Sequence, residues 1–231
     1  RRPGGGACCG IVYCMTQADA EDAADYLSER GHRAAHYHAG MTPVQRRVVQ
    51  AAWTADRIDV VCATIAYGMG IDKQDVRYVL HASIAKSLSG FYQEAGRAGR
   101  DGLPSTCELL YRRADRAKLE RIITGFGKHR RRGPKLQRDL DALQEMADYC
   151  ELSSVCRRKM LVDHFSENKP PKAHRAGAPG GGGGGLLGGG GPECCDVCAR
   201  RSAAVSSASG PTLSTASSRS SSSAVVRGGG A

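Results

Sequence analysis

Gly10-Ile11-Val12-Tyr13-Cys14-Met15-Thr16-Gln17-Ala18-Asp19 decides the fold. The first six residues form an apolar run of the length of a buried strand. Thr16 and Asp19, three apart, make a capping box that starts a helix at once, and Gly31 closes that helix after Arg30. The same alternation continues outward. Arg33–Tyr37 reads as a second strand. Thr42-Pro43-Val44-Gln45 is another capping box, with Pro at the first helical position, and its helix runs to about Trp53. Ile58–Cys62 and Val76–His81 are strands three and four. Ser89–Ala98 is expected to be helical, Thr106–Tyr111 is a fifth strand, and Ala114–Ile123 is a helix ending near Gly125. Strands alternating with helices imply an α/β fold, a parallel sheet with helices on both faces. Such sheets bind ligands beyond the carboxyl ends of their strands.

Past Pro134 the period changes. Leu136, Leu140, Leu143 and Ala147 lie at helical spacing, and Val155, Met160, Leu161 and Phe165 follow after a break near Ser153. Two helices packed as a small unit are expected. Residues 1–9 read as a flexible Gly/Arg lead and 10–126 as the α/β domain. Residues 134–200 read as the helical unit, interrupted by a Gly-rich insertion at about 169–192, and 201–231 as a Ser-rich tail. Segments of that composition bury too little apolar surface to offset chain entropy, so the insertion and the tail are expected to be disordered. One island, the cysteines at 194–198, stands between them.

The chain has 231 residues and a formal net charge of +10. Between Arg112 and Lys135, ten Lys/Arg stand against two acids, Asp115 and Glu120. A local excess of that size fits a polyanionic partner, and a solvated helix face or an import signal within Lys128–Lys135 fits it too. Ten cysteines do not make a secreted disulfide framework here. Cys14, Cys62 and Cys107 sit in apolar runs, where a thiol acts as a small hydrophobe. No signal peptide or membrane-spanning run is read in the sequence, and a reducing, intracellular compartment fits best.

The segment Gln93-Glu94-Ala95-Gly96-Arg97-Ala98-Gly99-Arg100-Asp101-Gly102 carries the sharpest chemistry. On a helix, Arg97 and Arg100 share a face, and two guanidiniums so placed suit a phosphate. A Gly-loosened helix end with two solvated arginines would have the same spacing. Downstream, Cys195-Asp196-Val197-Cys198 has a chelating C-x-x-C spacing for zinc.

The first of these strings resembles motif VI of superfamily 2 helicases in its RecQ form. Ala63-Thr64-Ile65-Ala66-Tyr67-Gly68-Met69-Gly70-Ile71-Asp72-Lys73 resembles RecQ motif V, with His81-Ala82-Ser83 following as in that family. Tyr13-Cys14 resembles motif IV, and Tyr37-His38-Ala39-Gly40-Met41 the short motif after it. The resemblance is closest to the Bloom-syndrome-type branch, through Lys86-Ser87, Tyr149-Cys150-Glu151 and Cys156-Arg157-Arg158. It implies a RecA-like second motor domain of an ATP-dependent DNA helicase, followed by a zinc-binding subdomain. Arg97 and Arg100 then correspond to arginine fingers on ATP, with Gln93 coupling nucleotide to DNA. Gly68, Gly70 and Asp72 correspond to the interdomain cleft, and Thr64, His38 and Ser83 to nucleic-acid contacts. Thr64 serves equally as a helix cap. Cys156, Cys194, Cys195 and Cys198 correspond to the zinc ligands. Cys194 departs from the family spacing by standing directly beside Cys195, and His164, His174 or Cys150 could replace it.

Neither a G-x-x-x-x-G-K-[ST] loop nor a D-E-x-H box occurs in the chain; Gly127-Lys128 is followed by His129. The loop that cradles ATP phosphates is therefore expected in a preceding RecA-like domain, which would share ATP and Mg with this one. The missing initiator Met at Arg1 fits a piece of a longer protein, inactive alone. The implied partners are single-stranded DNA and duplex junctions, and no membrane. A non-catalytic DNA-binding adaptor is the alternative. An RNA helicase is a weaker one, because DEAD-box proteins open motif VI with His-Arg rather than Gln93-Glu94.

Overall fold

A computed structural model describes residues 8–64, 73–125, 131–166, 194–207 and 222–228. Five strands form a parallel sheet in the order β2-β3-β1-β4-β5. They are β1 (Gly10–Tyr13), β2 (Ala34–Tyr37), β3 (Val60–Ala63), β4 (Tyr78–His81) and β5 (Ser105–Tyr111). Between them run α1 (Gln17–Glu29), α2 (Pro43–Thr54) and α3 (Leu88–Ala95), and α4 (Arg113–Thr124) follows β5.

Both capping boxes form. Asp19 N donates to Thr16 Oγ1 at 3.1 Å and Thr16 N to Asp19 Oδ2 at 3.0 Å. Gln45 N donates to Thr42 Oγ1 at 3.2 Å and Thr42 N to Gln45 Oε1 at 2.8 Å. Each reciprocal pair satisfies two backbone donors, counting the cap's own, at the point where the chain leaves a strand or turn.

Side chains alternate across the pleat, so each strand feeds two cores. Ile11, Tyr13, Val61 and Val79 pack with Trp53 of α2, which is fully buried. Val12, Cys14, Val60 and Cys62 pack on the opposite face with Ala20 and Ala24 of α1. Helices thus cover both faces. Burial pushes the thiols of Cys14 and Cys62 up to about 12 and that of Cys107 up to about 11, so these cysteines are protonated packing groups.

A third cluster joins the sheet to the helical unit that follows, α5 (Pro134–Glu151) and α6 (Arg157–Phe165). Phe91 and Leu109 from the α/β part meet Met146 and Tyr149 of α5 and Leu161 of α6. The rings of Phe91 and Tyr149 lie 5.6 Å apart. The two parts therefore share one apolar core.

Two segments of the Ser-rich tail carry elements that composition did not announce. α7 (Asp196–Ser207) runs past Arg201, and β6 (Ser222–Gly228) pairs antiparallel on β5. A Ser-Ser-Ala-Val-Val run, with two β-branched residues, is an adequate edge strand once a free sheet edge is available to it. The Gly-rich insertion lies outside the described residues.

Candidate functional site

The strand register places Tyr37, Ala63, Tyr13 and His81 in one row across the sheet. The residues after that row line its carboxyl edge: His38, Thr64, Cys14 and Ala82-Ser83. Thr64 is buried and continues the ladder, its N–H donating to Tyr37 O at 3.3 Å. His38 is buried beside Glu21 of α1, with Nε2 2.9 Å from Glu21 Oε1. Ser83 lines a cleft of about 380 Å³ whose walls include Met15, Asp22, Arg112 and Lys118. Gly68, Gly70 and Asp72, expected at the interdomain cleft, lie outside the described residues.

The Arg97/Arg100 pair differs from its sequence expectation. Helix α3 ends at Ala95, three residues early, and residues 96–100 form turns. Gly96 caps the helix, and Gly99 takes φ +67°, which stops any helical continuation. The two arginines therefore share no helix face. Arg97 is buried, while Arg100 and Gln93 are exposed. Arg100 Nε donates to Gly96 O at 3.4 Å, which holds its side chain over the turn. Gly99 N donates to Val76 O at 2.9 Å, tying the turn to the sheet just ahead of β4. A Cβ at Gly99 would stand 2.6 Å from Ser105 Oγ and 3.0 Å from Leu103 O. Gly99→Ala is expected to lower stability by about 1–2 kcal/mol from the left-handed backbone alone, with steric cost added. Thermal unfolding checks this.

Sequence reading missed the group beneath Arg97. His81 is almost fully buried, and its Nε2 lies 2.8 Å from Oε2 of Glu94, which is also buried. The His81 ring stacks on Tyr13 at 5.1 Å and tilts against Phe91 at 4.9 Å. Burial pushes the Tyr13 hydroxyl well above its ordinary value; the Arg97 charge opposes that and Glu94 adds to it. The Arg97 guanidinium thus lies close to the Tyr13 hydroxyl, and its backbone N–H donates to Glu94 O at 3.3 Å. The available signal was a histidine and a glutamate inside otherwise apolar runs, where buried polar groups need partners.

The cysteines converge from two distant segments. Cys156 caps α6, and Cys194, Cys195 and Cys198 stand at the start of α7. Their four sulfurs lie within 4.8 Å of one another. The Cys156–Cys194 and Cys194–Cys198 separations are 3.5 Å, and Cys156–Cys195 is 3.9 Å. A tetrahedral zinc–thiolate centre with bonds of about 2.3 Å has edges of about 3.8 Å, so the donor set fits that ion. The adjacent Cys194 and Cys195 both reach the cluster because the chain bends there before α7 begins. The alternatives are engaged elsewhere: His164 bridges Ser89 (3.0 Å) and Glu145 (3.0 Å), and Cys150 is packed in the shared core. His174 lies outside the described residues.

Around the cluster, Arg157 N donates to Cys195 Sγ at 3.4 Å. The buried Arg157 side chain pairs with Asp196 at 3.2 Å and lies over the Tyr149 ring. Burial raises the Cys156 thiol, but backbone N–H groups of Lys159 and Arg158 and the Cys194 and Cys198 thiols outweigh it and lower the net value. Burial first pushes up both Cys194 and Cys198; the neighbouring thiols add to this at Cys198, while at Cys194 the Cys198 thiol opposes it and Cys156 and Cys195 add to it. Four thiolates do not coexist there without a cation to neutralise them.

The basic stretch is partly consumed internally. Lys118 pairs with Asp19, Arg113 with Glu151 and Arg131 with Asp139. Among the described residues no helix is long and apolar enough to cross a membrane.

Residues 5–102 match the helicase conserved C-terminal domain, and residues 113–199 match the RecQ zinc-binding domain. RecQ-like DNA helicase blm-1 of Caenorhabditis elegans is 49% identical over 158 residues, which is 68% of this chain and 16% of that protein. RecQ-like DNA helicase BLM of Xenopus laevis is 46% identical over 160 residues, 69% of this chain and 12% of that protein. ATP-dependent helicase SGS1 of Saccharomyces cerevisiae is 42% identical over 159 residues, 69% of this chain and 11% of that protein. The chain thus spans between 11% and 16% of the length of these relatives. With the two domain matches in order along one shared core, and the four cysteines converging at its end, the chain belongs to the RecQ helicase family.

Proposed function

We propose that this chain is the second motor domain and zinc-binding unit of an ATP-dependent DNA helicase. The helicase moves 3′ to 5′ on single-stranded DNA and acts at duplex junctions during replication, recombination and repair in the nucleus. The supporting observation is the setting of Arg97, buried near the Tyr13 hydroxyl, with exposed Gln93 and Arg100 in the same short segment. ATP, bound with Mg in a first RecA-like domain, supplies the phosphoryl transfer that drives movement. Arg97 and Arg100 present guanidinium donors to its phosphates, and Gln93 joins that surface to the DNA side. Gly68, Gly70 and Asp72, outside the described residues, are assigned to the interdomain cleft on the resemblance of their motif alone. Thr64, His38 and Ser83 follow three strands at the carboxyl edge of the sheet; the hydroxyls of Thr64 and Ser83 suit backbone phosphates, and His38, buried beside Glu21, stands on the same edge. Cys156, Cys194, Cys195 and Cys198 hold zinc, which cross-links α6 to α7.

The chain has no Walker loop, so the isolated segment is expected to bind single-stranded DNA without hydrolysing ATP. Binding should weaken steeply with salt, because phosphate contacts release counterions. ATP turnover above a buffer blank, or the absence of DNA binding, would count against the proposal. A purely non-catalytic DNA-binding module predicts the same for the segment alone; the two readings separate when a first domain is supplied.

A further inference from the structure

Glu21, His36 and His38 form a second group of metal-binding donors, remote in sequence from the cysteines. Their ligand atoms lie within 4.8 Å of one another. His36 is the third residue of β2 and His38 comes two residues later, just past the strand, so the pleat sends both imidazoles to the same face. The rings stack at 5.2 Å with planes 19° apart. Glu21 of α1 faces them; α1 and β2 are packed side by side, because the chain returns from the helix directly into the strand.

The state of His38 is what points to a ligand. The residue is 4% exposed, yet neither ring nitrogen makes a hydrogen bond. Glu21 Oε1 stands 2.9 Å from Nε2 but is not aligned as a hydrogen bond. A buried imidazole with a carboxylate beside it and no aligned hydrogen bond is disposed to take a ligand. On its other side the chain comes close at Gly40, where a Cβ would lie 3.1 Å from Nδ1 and 2.5 Å from Gln17 Oε1. Nε2 is the nitrogen that faces the carboxylate.

We propose that Glu21, His36 and His38 bind a divalent ion of the zinc class, at a site separate from the cysteine cluster. Two imidazoles and one carboxylate suit Zn²⁺, Ni²⁺ or Cu²⁺, whereas Mg²⁺ takes oxygen donors in near-octahedral geometry. Three protein ligands leave a fourth position for water, so the site is an open one. Glu21 is exposed and His36 half-buried, which gives the ion a path from solvent. The assignment does not depend on the helicase reading.

The test is a zinc titration of the whole chain, with bound metal counted per chain after gel filtration and the histidine ring signals followed by NMR. Two zinc ions per chain are expected, the second shifting the rings of His36 and His38. Glu21→Gln and His36→Ala should each lose the second equivalent and keep the first, and Cys156→Ser should lose the first and keep the second. Glu21→Gln preserves side-chain shape at an exposed position, so its result does not hinge on folding. One zinc per chain in the unaltered protein would overturn the proposal, as would a second equivalent that survives in both Glu21→Gln and His36→Ala.

Discussion

Cys195→Ser should release one equivalent of zinc and open the end of the helical unit to protease, while the sheet stays folded. Cys195 is 2% exposed, the most buried of the four cysteines of the cluster. Its sulfur accepts from Arg157 N, and the next residue, Asp196, holds the buried Arg157 guanidinium. Structural zinc contributes roughly 10–16 kcal/mol of apparent binding free energy in small domains. The other anchors of helix α7 include buried Val197, the Arg157–Asp196 pair and the Arg201 guanidinium on Ser154 O. Losing the ion also leaves that pair without the geometry that holds it, and a broken buried ion pair costs about 3–5 kcal/mol. The sheet has its own core, and the single tryptophan, Trp53, lies fully buried within it. Unchanged Trp53 emission together with new cleavage between 166 and 207 is the expected pattern. A variant that keeps its zinc and its protease resistance would remove the cysteines from the structural role given to them.

Arg97→Ala should cost more than any other single change at the nucleotide surface. Fused behind the nucleotide-binding first domain of a RecQ relative, the segment should support DNA-stimulated ATP turnover, and Arg97→Ala should reduce kcat by about 10³-fold or more. Lys at this position should not restore it, since an ammonium lacks the planar fork of a guanidinium. Arg100→Ala tests the exposed partner without disturbing a buried contact. Arg97 is itself buried beside Tyr13 and Glu94, so part of any loss could come from instability. Unfolding midpoints and the KM for ATP separate the two: a finger acts on kcat, and a merely structural arginine lowers the midpoint with turnover per folded molecule preserved.

Much of the fold was legible because its signals are local. The apolar run at Gly10–Tyr13 and the Thr16/Asp19 cap depend on neighbouring residues, and both formed as read. The end of α3 was harder. Glycines tolerate a helix and also break one, and only the bond from Gly99 to Val76, across the domain, decides between them. That same decision moved Arg97 into the core and left Arg100 outside. The cysteine cluster joins residues 38 apart, and spacing alone cast doubt on Cys194. What brings it in is the turn before α7, a tertiary feature. The His81–Glu94 pair and the Glu21–His36–His38 group are likewise products of packing between strand and helix. Composition marked the tail as polar but carried no information about the free edge of β5 on which 222–228 pairs.

Strand separation by the fusion protein tests the central claim most directly. Given ATP and Mg, it should unwind a duplex with a 3′ single-stranded tail and leave one with a 5′ tail intact, and Arg97→Ala should abolish that unwinding. A folded fusion that binds ATP and DNA yet separates neither duplex would contradict the assignment of this chain as the second half of a helicase motor.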